Sequence, residues 1–112
     1  MIMQKELTFT YEGSKYTLAF TRQTVQQLTR QGFNPEQVTE QPAIGVLALF
    51  RGAFLVHHRG IKPDLVEKIW DKTVNKQELL GKLMDMYAEP INVLLTDSDE
   101  DDEKNVTWEA NF

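Results

Sequence analysis

Between Ala43 and Val56 the chain is apolar at nearly every position, with Arg51 as the one charge, and Pro42 and Gly60 bracket the stretch. Proline suits the first turn of a helix and glycine its stop. The segment therefore reads as one central helix from Pro42 to Gly60, apolar around most of its circumference. Such a helix needs cover on several sides. It falls well short of the roughly 20 apolar residues that cross a bilayer, so the cover has to be protein and no membrane role is expected. Gly45, Ala48 and Gly52 recur at helical spacing, where small side chains admit a close neighbour, while Leu47, Phe50 and Phe54 bulk out another side. Two readings remain open: packing against the chain's own helices, or a subunit interface, since 112 residues offer few other elements with which to surround such a helix. Arg51 sharpens the question, because a buried charge without a partner is costly. It either pairs across an interface or lays its stem along the helix with the guanidinium in water.

The elements on either side supply cover. Leu7, Phe9 and Tyr11 alternate with Thr8 and Thr10, and after Glu12-Gly13-Ser14-Lys15 the alternation resumes as Tyr16, Leu18 and Phe20. That pattern predicts a β-hairpin with one large apolar face. A lone hairpin is unstable in water, so this face has to lie on helices or on another subunit, as a lid with exposed edges.

Thr21 is placed to cap a helix running to about Gln31, with Gly32 as its left-handed stop and Val25 and Leu28 on a narrow apolar side. Phe33-Asn34-Pro35-Glu36-Gln37-Val38 combines a cap, a first-turn proline, a glutamine three residues after the cap and an apolar staple, which predicts a short helical turn. Pro63 opens a further helix whose buried side is Leu65, Val66, Ile69, Trp70 and Val74. Asn75-Lys76-Gln77-Glu78 reads as a capping box, with Val74 and Leu79 as its staple. The last helix carries Leu79, Leu80, Leu83, Met84 and Tyr87. Pro90 is expected to kink or restart it, and Ile91, Val93, Leu94 and Leu95 to finish the core. The expected fold is α+β and mainly α: an N-terminal β-hairpin, a bundle of about four to five helices, and an acidic flexible C-terminal tail.

Charge divides the chain. Residues 1–96 hold 11 Lys or Arg against 10 Asp or Glu, a net +1, whereas residues 97–112 hold seven acids and one lysine, a net −6. A single domain over 1–96 and an acidic tail over 97–112 follow from this split. The tail is either solubilising or a docking segment for a basic partner. Val106, Trp108 and Phe112 add apolar residues that suit a groove or a sheet edge. With so little excess positive charge on the body, duplex nucleic acid is not an expected partner. The absence of cysteine excludes disulfides and thiolate metal sites, and Met1–Glu6 lacks the features of a secretory signal, so a cytoplasmic setting is expected.

A search for chemistry yields little. His57 and His58 are adjacent, so on a helix their side chains point about 100° apart and chelate one metal poorly. Neither lies near a nucleophile motif, and the glycines are scattered rather than gathered into a phosphate-binding loop. Asp64, Glu67 and Asp71 alternate with Lys68 and Lys72 as on an ordinary solvated helix face. No catalytic residue, metal or cofactor is expected. The candidate interface residues are Phe9, Tyr11, Tyr16, Leu47, Phe50, Arg51, Phe54 and Trp70.

The hairpin from Lys5 to Phe20, Thr21-Arg22-Gln23-Thr24-Val25, Gln31-Gly32-Phe33, Phe50-Arg51-Gly52-Ala53-Phe54 and Met86-Tyr87-Ala88-Glu89-Pro90-Ile91, followed by the acidic tail, form a recognisable layout. Over roughly residues 4–110 it resembles a family of small proteins from phages and prophages of Gram-positive bacteria. That family is similar in size and helical character to tail assembly chaperones of long-tailed phages. The resemblance implies a non-enzymatic chaperone that binds the tape-measure protein, keeps its long helices soluble and helps tail-tube subunits polymerise. A homo-oligomer, action in the host cytoplasm and absence from the mature virion go with that role. Two other readings stand beside it: an acidic regulatory protein that mimics nucleic acid through Asp97–Glu103, and a structural connector of the virion.

Overall fold

The computed structural model describes residues 5–97, 104 and 106–112. Its element order is a two-stranded antiparallel sheet, β1 (Glu6–Tyr11) and β2 (Ser14–Ala19), then helices α1 (Arg22–Arg30), α2 (Gln37–Glu40), α3 (Pro42–Phe54), α4 (Pro63–Lys72) and α5 (Lys76–Leu95). The fold is thus α+β and mainly α, with the hairpin laid on the helices. The expected flexibility of the acidic run falls on residues 98–103, which lie outside the described residues.

The hairpin turns on two residues rather than the four expected. Glu12 (φ 48°) and Gly13 (φ 83°) both take positive φ, the backbone of the tight turn whose twist matches the flanking strands, so Ser14 and Lys15 belong to β2. Phe9 pairs with Tyr16 and Leu7 with Leu18, which gathers the apolar side chains on one face. In this register Tyr11–Ser14, Phe9–Tyr16 and Leu7–Leu18 exchange the inter-strand bonds, and the backbone groups of Thr8, Thr10 and Thr17 point away from the hairpin. The outer edge of β2 is closed by a side chain: the Thr17 N–H donates to His58 Nε2 at 3.0 Å.

That bond accounts for the first correction to the sequence reading. The central helix α3 stops at Phe54, not at Gly60. The Leu55 N–H bonds back to Gly52 at 3.2 Å and the His58 N–H to Phe54 at 2.7 Å, and the chain then turns so that both histidines meet the hairpin. His57 Nε2 lies 2.9 Å from Glu6 Oε2 in an exposed pair. The two imidazoles therefore hold the lid. His58→Ala leaves the part-buried Thr17 N–H without an acceptor and should lower unfolding free energy by about 1–2 kcal/mol. His57→Ala, which removes only a surface pair, should cost at most about 1 kcal/mol. Urea unfolding of both variants checks the ranking, and equal effects would contradict it.

The small-residue side of α3 packs within the chain. Gly45 lies against the backbone of Gln37 and Val38, and Gly52 against the side chain of Leu28. The partner helices form there for local reasons. Thr21 and Thr24 make a reciprocal capping box on α1, with Thr24 N–H to Thr21 Oγ1 at 3.2 Å and Thr21 N–H to Thr24 Oγ1 at 2.8 Å. Gly32 (φ 93°) then turns the chain out of the helix. Asn34 Oδ1 accepts from the Glu36 N–H at 3.0 Å and starts the turn into α2, while Phe33 and Val38 are buried on either side of it.

Three further expectations are corrected at the C-terminal helices. Val74 is 79% exposed rather than buried. Asn75 occupies the cap position of α5 but in a left-handed conformation (φ 54°) with no side-chain cap bond, so the capping box does not form. Lys76 instead reaches back to the Thr73 carbonyl at 2.8 Å, satisfying the end of α4. Finally, α5 runs through Pro90 without restarting, and Ile91, Leu94 and Leu95 are exposed rather than core. Tyr87, packed edge-on against Phe20 and Phe33, is the last residue of α5 in the buried cluster.

Candidate functional site

Five of the eight residues singled out in the sequence form one column of aromatic rings. Phe9 stacks on Tyr16 at 5.4 Å, and both meet Phe54 edge-on at 6.1 and 5.8 Å. Phe54 contacts Phe50 at 5.1 Å, and Phe50 contacts Trp70 at 5.0 Å. The column runs from the hairpin through α3 to α4, and offset or edge-on rings of this kind add about 0.5–1.5 kcal/mol per pair beyond their burial. Phe50 and Phe54 are fully buried, so they are core residues and their placement at an interface is corrected. Helix α3 is covered by the hairpin on one side and by α1, α2 and α4 on others, which leaves these two rings no surface to present.

The remaining candidates divide between separate surfaces. Phe9 and Tyr11 line a groove of about 460 Å³ between β1 and the junction of α4 with α5. Ile69, Val74 and Leu79 continue its apolar wall, and Lys72 and Lys82 stand among its polar residues. The Tyr11 phenol is held above its ordinary 10.0 by partial burial and by the neighbouring Glu12 carboxylate, so at neutral pH it is an uncharged donor. Leu47 and Trp70 line a second hollow of about 400 Å³, where Ala43, Val46 and Leu80 bring α3, α4 and α5 together. These two concavities share no lining residue.

Arg51 lies apart from both. It is exposed, and among the described residues no carboxylate is within ion-pair distance of it. With Arg59, Gln27, Gln31 and Gln37 it lines a hollow of about 650 Å³ beside Gly32, whose other walls are the apolar Leu28, Phe33, Ile44, Ala48 and Leu55. Its guanidinium is therefore open to solvent in the single chain.

Sequence reasoning missed the contribution of Val74, Lys72 and Lys82 to the groove. Val74 carries the only local signal, an apolar residue between two helices, and that signal equally describes a helix staple. Among the described residues no three metal-ligating side chains come together and no helix is long and apolar enough to cross a membrane.

A β-hairpin laid on five helices places the chain in the class of small α+β, mainly α, domains. The family described as "Domain of unknown function (DUF5055)" matches residues 3–112, and this chain belongs to that family. No curated protein and no solved structure matches the chain.

Proposed function

We propose that this protein is a non-enzymatic assembly chaperone that holds an apolar helix of its client in the hollow between α3, α4 and α5. The observation that carries the reading is the lining of that hollow: Ala43, Val46, Leu47, Trp70 and Leu80 present apolar atoms from three helices, with Lys76 and Gln77 as polar members. An amphipathic helix laid into such a surface buries its own apolar stripe against it. In the setting implied by the sequence resemblance the client is the tape-measure protein of a phage tail, whose long helices need cover until tail-tube subunits polymerise around them. Action in the host cytoplasm and absence from the finished virion follow from that role.

Co-expression with the tape-measure protein of the same genome tests the proposal through client solubility and co-purification. The expected result is a soluble client that elutes with the chaperone. Ala43→Glu should weaken the complex by tenfold or more, because it puts a charge that must be desolvated into an apolar contact, about 1.4 kcal/mol per factor of ten. Ala43 is exposed, so this substitution probes the surface without opening the core, as changes at Phe50 or Phe54 would. An insoluble, unbound client overturns the reading. Binding that collapses on raising salt would favour the acidic mimic, since apolar contacts survive screening.

A further inference from the structure

The two edges of the hairpin are not equivalent. The edge of β2 is occupied at Thr17 by His58, whereas among the described residues no hydrogen bond reaches the outward backbone groups of Thr8 and Thr10 on β1. A row of free donors and acceptors is a template for another strand. The groove beside this edge is apolar, and Val74 on its rim is 79% exposed although a valine between two helices is ordinarily covered.

The same chain carries an unpaired segment with the alternation of a strand. From Val106 to Phe112 the residues alternate, with Val106, Trp108, Ala110 and Phe112 on one side and Thr107, Glu109 and Asn111 on the other. Val106, Trp108 and Phe112 are all exposed, so the apolar side is left open to solvent by the described residues. Seven residues match the six of β1 in length. The family match runs to residue 112, so the segment lies within the span that the family model covers.

We infer that Val106–Phe112 of one copy adds as a strand to the free edge of β1 of a second copy, with Trp108 and Phe112 in the groove, in a reciprocal dimer. A second copy is the occupant because every residue of the segment is exposed on its own chain while every copy presents both the segment and the edge. Charge supports the match: residues 97–112 carry a net −6, and the groove holds Lys72 and Lys82 against one acid, Glu78. Area decides for reciprocal exchange. Two aromatic side chains bury roughly 300–500 Å², and with the groove surface they cover, one donated strand gives roughly 600–1,000 Å², below the roughly 1,200 Å² of a stable interface. Two donated strands reach it. Residues 97–105, at full extension, can span about 30 Å from the end of α5, enough to cross to a neighbouring body.

The inference stands apart from the client reading, because the groove and the hollow share no residue. Light scattering on the full chain over a wide concentration range tests it. The expected mass at high concentration is twice the 13.0 kDa of the chain, falling toward the single-chain value on dilution. The double substitution Trp108→Ser with Phe112→Ser removes the strand's apolar face, and Val74→Glu places a charge on the groove rim. All three positions are exposed in the single chain, so each variant should keep its helical circular dichroism and stay a monomer where the parent is a dimer. A parent that is monomeric throughout, or a dimer that survives both variants, overturns the inference.

Discussion

Phe54→Ala should remove about 3–5 kcal/mol of stability, the cost of deleting a fully buried ring. A small domain holds about 5–15 kcal/mol in all, and one of this size, with a limited core, sits in the lower part of that range. Phe54 is the ring on which the fold converges: Phe9 and Tyr16 reach it from the hairpin, Phe50 from its own helix and His58 from the turn that holds the lid. Its loss opens a cavity where the hairpin meets α3, so the hairpin should loosen before the helices melt. Urea unfolding followed by circular dichroism gives the total, and amide exchange in β1 and β2 gives the order. Phe54→Leu, which keeps part of the volume, should cost clearly less. A Phe54→Ala protein within about 1.5 kcal/mol of the parent would contradict the packing described here.

Gly45→Ala should be the most damaging of the single-methyl substitutions on α3. Alanine is ordinarily favoured over glycine in a helix interior by about 1 kcal/mol. Here the added methyl would meet the backbone of Gln37 and Val38 inside van der Waals contact, and backbone held by the bonds of α2 cannot move aside cheaply. The clash outweighs the propensity, and a net loss of about 2–3 kcal/mol is expected. Gly52→Ala is the internal control. Its methyl would meet the tip of the Leu28 side chain, which can change rotamer, so the net effect should stay within about 1 kcal/mol. Thermal unfolding of the pair reads the difference directly, and a Gly45 variant as stable as the Gly52 variant would show that α2 and α3 do not pack backbone to side.

The apolar length of residues 43–56, the alternation of residues 7–20 and the caps at Thr21 and Pro63 were enough to read a hairpin on a small helical bundle, because period and cap chemistry are local properties. The small residues of α3 were legible as a close approach for the same reason. What they approach was not, because a glycine records the room it leaves and not the neighbour that uses it. The end of α3 depended on the Thr17 N–H of β2, about 40 residues away in sequence, drawing His58 out of the helix. No local pattern carries that pairing.

The interface residues divide along the same line. Sequence named Phe9, Tyr11, Tyr16, Leu47, Phe50, Arg51, Phe54 and Trp70 as candidate interface residues. Only the tertiary structure decided that Phe50 and Phe54 are core, that Leu47 and Trp70 share a hollow, and that Phe9 and Tyr11 border a groove whose rim is Val74. Burial is settled by which elements meet, and the capping signals around Val74 and Asn75 argued for a staple that the left-handed turn at Asn75 replaced. The sequence by itself determined the element types, their order and the division of charge between body and tail, all set by residues near one another in the chain. Tertiary structure alone decided which apolar side chains remain open to a partner, since exposure is what is left after distant segments have packed.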